Sequence, residues 1–235
     1  QRKGGSLAPG EELPIPTDLD ELLRARLDGL SRGAIDLARV VAALAEPTVP
    51  SVEAAVGRGF DAALTETLAA RILELDGERL RLTHPLLGSA VAARQTPARR
   101  RALHARLAEI VPASEERAQH LARSTAVPNA QIAATLEEAA RSAQAHGASA
   151  AAAELAEQAL ALTPAADTAD ARRRLFFAAD RQNVAGDTAR ALALLTQARA
   201  EAAPGAETAA VLIQLGDVLF DDEPRVLDFD APLVH

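Results

Sequence analysis

Cysteine, methionine, tryptophan and tyrosine are all missing from this chain of 235 residues. Without cysteine there are neither disulfides nor thiolate metal sites. The lack of methionine, with Gln1 leading, predicts a piece excised from a longer protein. Aromatic residues make up only 2% of a composition that is 49% apolar, so a core must be built from Ala, Leu, Val and Ile. Such a core favours close-packed helices over a sandwich or barrel, whose strands prefer aromatic and β-branched side chains. No apolar run reaches the length of a membrane span and no signal peptide opens the chain, which predicts a cytoplasmic protein with no membrane contact. A formal charge of −8 argues against the chain as a whole wrapping nucleic acid.

Lysine is almost absent as well. Lys3 is the only one, and every other basic side chain is arginine or histidine. A P-loop needs a lysine ammonium beside a glycine-rich turn to hold β- and γ-phosphates, and Lys3 sits in QRKGGS, in the wrong order and after no strand. No nucleotide-hydrolysing engine, and hence no enzyme, is expected in these residues.

What is present is a succession of short helical patterns. Residues 1–16 are rich in Gly and Pro and read as a linker or the end of a preceding domain. Pro16 and Thr17 then start a helix with a stripe of Leu19, Leu22, Leu23, Leu27 and Leu30. Ser31 can cap a second helix whose Ile35, Leu37, Ala38, Val41 and Leu44 face inward, and shorter helices follow the EPTVPS break. One β signal stands out: Asp76-Gly77 between two alternating runs predicts a hairpin that pairs Leu73 with Leu80 and Glu74 with Arg79. Three or so helices followed by a small hairpin is the layout of a winged-helix module, here residues 17–111. After the hairpin, Pro85 suits a first helical position, making His84 the N-cap, and Thr96-Pro97 caps an arginine-rich helix. A connecting helix is expected within 112–128.

From Asn129 to about Asp222 the texture is alanine-rich, with Ala145–Pro164 aligning on Val184–Pro204 and with Gly147 and Gly186 separated by 39 residues. Helix pairs with a period of roughly 34 to 45 residues stack into solenoids, and Ala151, Leu155, Leu160, Ala189, Leu192 and Leu195 are expected to pack between helices. Residues 223–235 read as an acidic tail. The fold expected is therefore mostly α, a winged-helix-like module with one small hairpin followed by a tetratricopeptide-like α-solenoid.

LRLTHPLLGSAV followed by PARRRALHARLAE, with LPIPTDLDELLRARLDGLS upstream and the alanine-rich repeats downstream, resembles the large ATP-binding regulators of the LuxR family, which are STAND-type signalling ATPases. The resemblance covers roughly residues 11–215. In that family a P-loop ATPase domain comes first, then a winged helix, a tetratricopeptide-like array and a DNA-binding helix-turn-helix. It implies that ATP or ADP with magnesium, and promoter binding, belong to other parts of a longer parent. It also implies an intramolecular ATPase-domain partner for these residues, and an unknown inducer or protein partner at the repeats. A histidine in motifs similar to THPLL contacts the β-phosphate of ADP in related STAND ATPases, which would give that role to His84. Residue chemistry alone leaves a second reading open: a histidine that caps its own helix, at a helix start able to attract anions.

Arg94, Arg99, Arg100, Arg101 and Arg106 read as a solvated helix face or a contact for the ATPase domain, since no aromatic side chain interleaves them. His104, His120 and His146 share no metal spacing and read as surface or partly packed. Phe176-Phe177 is expected to fill the first repeat's core. Two rival functions remain, a free-standing helical scaffold that binds a partner peptide and a DNA-binding winged helix.

Overall fold

In the computed structural model, residues 25–202 and 205–222 are described. The proposed linker 1–16, the predicted helix start at Pro16-Thr17 with Leu19, Leu22 and Leu23, and the acidic tail 223–235 lie outside them. The chain divides into two compact units, the first ending at Ser124 and the second beginning at Thr125. The fold is mostly helical, with one small antiparallel hairpin.

In the first unit, helical residues 25–28 bring Leu27 into the core. Helix α1 (Arg32–Ala43) follows, and Ser31 accepts a hydrogen bond from the Ala34 amide as its N-cap. Leu37, Ala38, Val40 and Val41 are buried along one stripe, as a 3.6-residue period requires. Thr48 and Ser51 form a reciprocal capping box at the start of α2 (Val49–Val56). Helix α3 (Phe60–Ala69) is tied to α1 by Glu66, whose carboxylate accepts from the Ser31 amide at 2.6 Å and the Ser31 hydroxyl at 2.5 Å. Those two bonds hold the Glu66 carboxyl below the ordinary range.

Strands β1 (Leu73–Asp76) and β2 (Arg79–Leu82) form the hairpin, in a register that differs from the predicted one. Leu73 faces Leu82, Leu75 faces Leu80, and Glu74 faces Arg81, so Gly77-Glu78 rather than Asp76-Gly77 is the two-residue loop. Gly77 has φ +61°, suiting the first central position of a II′ turn. Arg79, freed from Glu74, pairs with Glu46 at 2.9 Å, and Thr48 bridges to Arg79 beside the hairpin. Then come α4 (Pro85–Ala93), α5 (Pro97–Ile110) and α6 (Ser114–Ser124). The segment read as a connector thus carries α6, which packs along α5 and closes the first unit.

The second unit runs through α7 (Ala130–Ala145), α8 (Ser149–Ala161), α9 (Thr168–Val184), α10 (Thr188–Glu201) and α11 (Ala206–Asp222). Each helix packs chiefly on its sequence neighbours, and α9 also touches α11. Turns of a few residues force neighbouring helices to run antiparallel. The glycine repeat marks two equivalent helix ends. Gly147 (φ +79°) and Gly186 (φ +88°) each follow the last helical residues. The amide of Gly147 reaches the Gln144 carbonyl and that of Ala148 reaches Ala143. Gly186 to Asn183 and Asp187 to Gln182 repeat the pattern, so both ends are Schellman motifs. The predicted packing face is partly off. Leu155 and Leu195 are buried, but Ala189 is exposed and Ala151, Leu160 and Leu192 are half-buried. The close contacts come from Ala152, Ala153, Ala156, Ala159 and Ala191.

Candidate functional site

His84 is the N-cap of α4, with Pro85 in the first turn. Its Nδ1 accepts from the Leu86 amide at 3.2 Å, and its carbonyl accepts from the Leu87 amide at 3.0 Å. Proline has no amide, so the donors that an anion would meet at this helix start are largely engaged by His84 itself. Accepting at Nδ1 places the neutral ring's proton on Nε2, and the residue is exposed. His84 can therefore offer one outward donor while it caps. Behind it, the Thr83 hydroxyl donates to the Arg71 carbonyl at 2.8 Å, fastening the end of β2 to the end of α3.

The arginine cluster is split by the fold. Arg94 forms an ion pair with Asp28, and its carbonyl accepts from Arg39. Arg99 and Arg106 line a recess of about 200 Å³ with Arg32 and Arg39. Arg100 lines a larger cleft of about 580 Å³ together with Arg123 and His104. Arg101 lines neither.

His104 and His120, read as surface or partly packed, are more deeply buried than that: they are 8% and 1% exposed, and their Nδ1 atoms lie 3.1 Å apart across α5 and α6. One ring must donate and the other accept. Glu116 Oε1 stands 3.7 Å from His120 Nε2, which favours the proton there and makes His104 the Nδ1 donor. Burial, then the neighbouring charges of His120, Arg123 and Arg100, push His104 down to about 4. Burial also lowers His120, partly opposed by Glu116. His146 is exposed, with Nδ1 2.8 Å from the Ser142 carbonyl. Among the described residues no group of three or more metal-ligating side chains converges.

In the second unit the structure assembles a polar cluster with no local sequence signal. Glu137 is buried on α7, and Arg174, 2% exposed on α9, donates to it at 2.9 Å and to the Thr163 hydroxyl at 2.9 Å. Arg173 and Arg141 also bind Glu137 from its exposed side. Burial pushes the Glu137 carboxyl up, but the hydrogen bonds from Arg173 and Arg174 and the charge of Arg141 carry it below its ordinary value. Nor do the phenylalanines fill the core as expected. Both are half-buried: Phe177 has the guanidinium groups of Arg141 and Arg181 over its ring, 5.2 and 5.4 Å from the centroid. Phe176, with Leu175, Leu194 and Val211, lines an open cleft of about 390 Å³ among α9, α10 and α11. Residues 37 positions apart, as Glu137 and Arg174 are, show no spacing that sequence inspection could detect.

No family model, curated protein or solved structure matches this chain. Among the described residues, no helix is long and apolar enough to cross a membrane.

Proposed function

We propose that this chain is the regulatory and sensory middle segment of a STAND-type, ATP-binding regulator of the LuxR family. In this reading the hairpin-bearing unit closes an ATPase domain around ADP, and the helix pairs receive an inducer or partner. Binding that favours one state shifts the closed–open balance. The residues in hand do not fit a P-loop, so ATP or ADP with magnesium would be held elsewhere in the parent and no hydrolytic step is assigned here.

The observation that carries the reading is the exposed His84 at the joint between β2 and α4, capping through Nδ1 while Nε2 keeps a proton to give. The order α1, the Thr48 bridge, α2, α3 and the hairpin supports a winged-helix assignment. The two equivalent glycine helix ends support tetratricopeptide-like repeats. The Phe176 cleft supplies an apolar recess at which a sensor could bind.

The test is His84→Ala in the full-length regulator. Loss of a hydrogen bond to a charged phosphate should weaken ADP retention by roughly 1–3 kcal/mol, with faster ADP release and higher inducer-independent transcription. ATP affinity should change less. Unchanged ADP release from a folded mutant would leave His84 as a cap only. Retained peptide binding at the Phe176 cleft would then favour the other reading, a helical interaction scaffold without a nucleotide role.

A further inference from the structure

We propose that the arginine-lined cleft of the first unit binds a small organic phosphate, a phosphomonoester carried on an apolar body. The two recesses described above share Arg39, Gln95 and Leu103 in their linings and so adjoin one another among α1, α4, α5 and α6. Arg39 is its fixed floor: it bonds Asp36 at 2.7 Å and reaches the carbonyls of Val91 and Arg94. Asp36 is the one carboxylate in the lining, and Arg39 already engages it.

Around that floor, Arg32, Arg99 and Arg106 line the smaller recess and Arg123 the larger. None of these four forms an ion pair with a described residue. Gathering like charges costs free energy unless an anion joins them, and in a chain of net charge −8 this concentration is local. Guanidinium forks suit oxyanions, and a phosphomonoester brings close to two charges and three acceptor oxygens, where a carboxylate can satisfy only one fork. The wall of the larger recess is apolar, from Ala42, Ala43, Pro85, Val91 and Ala92, and its volume of about 580 Å³ falls in the range of small-molecule sites. Inorganic phosphate would leave that wall uncovered. Nucleic acid is disfavoured because the arginines line a recess and no Phe, Tyr or Trp lines it as a stacking platform. The site makes no use of His84 or of the second unit, so its test does not depend on the ADP role proposed for His84.

Isothermal calorimetry on the whole chain at low salt tests it, with phenyl phosphate as the probe and benzoate, inorganic phosphate and a short DNA duplex as comparators. Phenyl phosphate should bind one to one and about tenfold or more tighter than benzoate or inorganic phosphate, because only it supplies both the dianion and the apolar body. Arg106→Gln and Arg123→Gln, one from each recess, should each weaken it about tenfold with helicity unchanged. Arg58→Gln, exposed and outside the cleft, should leave affinity unchanged. The proposal is overturned by any of four results. These are no saturable heat, equal affinity for benzoate, an equal loss in Arg58→Gln, and displacement of phenyl phosphate by the duplex, which would make this a nucleic-acid face.

Discussion

Among the described residues, the buried volume of the first unit comes from Leu37, Ile72, Leu80, Leu87 and Leu107, whereas that of the second comes mostly from alanine, with only Leu136, Leu155 and Leu195 among the largest fully buried side chains. A large apolar side chain stabilises by roughly 1.5–3 kcal/mol when fully buried, and alanine by much less. The first unit can therefore rest on transfer of bulk from water. Its buried histidines, His104 and His120, bond to each other through Nδ1, and burial disfavours the charged form of both. Alanine faces instead let helices approach closely while specifying little about which faces meet. In the second unit that specification falls to Glu137 and Arg174, an ionic contact between α7 and α9 inside the alanine packing. Ionic groups can fix register where apolar surfaces are interchangeable.

The largest effect expected from breaking this contrast is at Glu137. Glu137→Ala leaves the Arg174 guanidinium buried with only Thr163 and the more distant Asp170, at 3.7 Å, and should cost about 3–5 kcal/mol, the scale for removing one partner of a buried pair. Amide exchange in α7 and α9 reads the loss. Glu137→Leu with Arg174→Met should recover most of it, because apolar replacement removes both desolvation costs. If the double variant exchanges as fast as the single, the cluster is needed for more than charge balance.

How legible these features were depends on the range over which their signals act. Ser31, His84-Pro85 and Thr96-Pro97 were readable as helix starts because a cap is a contact within three residues. Gly147 and Gly186 were readable as a repeat for the same reason. The hairpin was legible in existence but not in register. Sliding the pairing by two residues keeps Leu73, Leu75, Leu80 and Leu82 on one face, so alternation accepts both registers. The turn decides between them, and it puts Gly77 first rather than second. His104 meeting His120, and Glu137 meeting Arg174, left no trace because tertiary packing alone joins their helices. Phe176-Phe177 misled because two large apolar residues in an alanine-rich stretch suggest core, while arginine side chains and an open cleft cover them instead.

The second contrast is pH. His104 has its pKa depressed from an ordinary 6.5 to about 4, so the folded state disfavours its charged form. The unfolded chain takes up that proton below about pH 6.5 and the folded one only near 4, so the stability held above pH 6.5 is lost as pH falls through this window. The loss should be on the order of 2–3 kcal/mol, confined to the first unit. An NMR titration should show the His104 ring unprotonated at about pH 5.5, below the ordinary histidine value of 6.5. A His104 ring titrating near 6.5 would mean that α5 and α6 open readily at this pair.

The smallest effect sharpens the comparison most directly, because the two units end helices in the same way with different residues. After α7 and α9 the left-handed position is glycine, but after α3 it is Arg71, with φ +54°. The Arg71 amide reaches the Leu68 carbonyl and the Ile72 amide reaches Thr67, so this too is a Schellman motif. A residue with a Cβ is strained there by roughly 1 kcal/mol or somewhat more. A Cβ built on Gly147 or Gly186 meets nothing within 4 Å, so substitution at either should cost conformational energy alone. Gly147→Ala and Gly186→Ala should therefore each destabilise by about 1 kcal/mol, and by the same amount if the two helix ends are true repeats. Arg71→Gly should do the reverse and stabilise by about 0.5 kcal/mol, the relieved strain being partly offset by the freer unfolded chain. Its carbonyl bonds to Arg26 and Thr83 belong to the backbone and survive the change. Urea unfolding followed by circular dichroism measures all three. A destabilised Arg71→Gly would show that the arginine side chain itself holds this end of the hairpin, a task that neither glycine performs in the second unit.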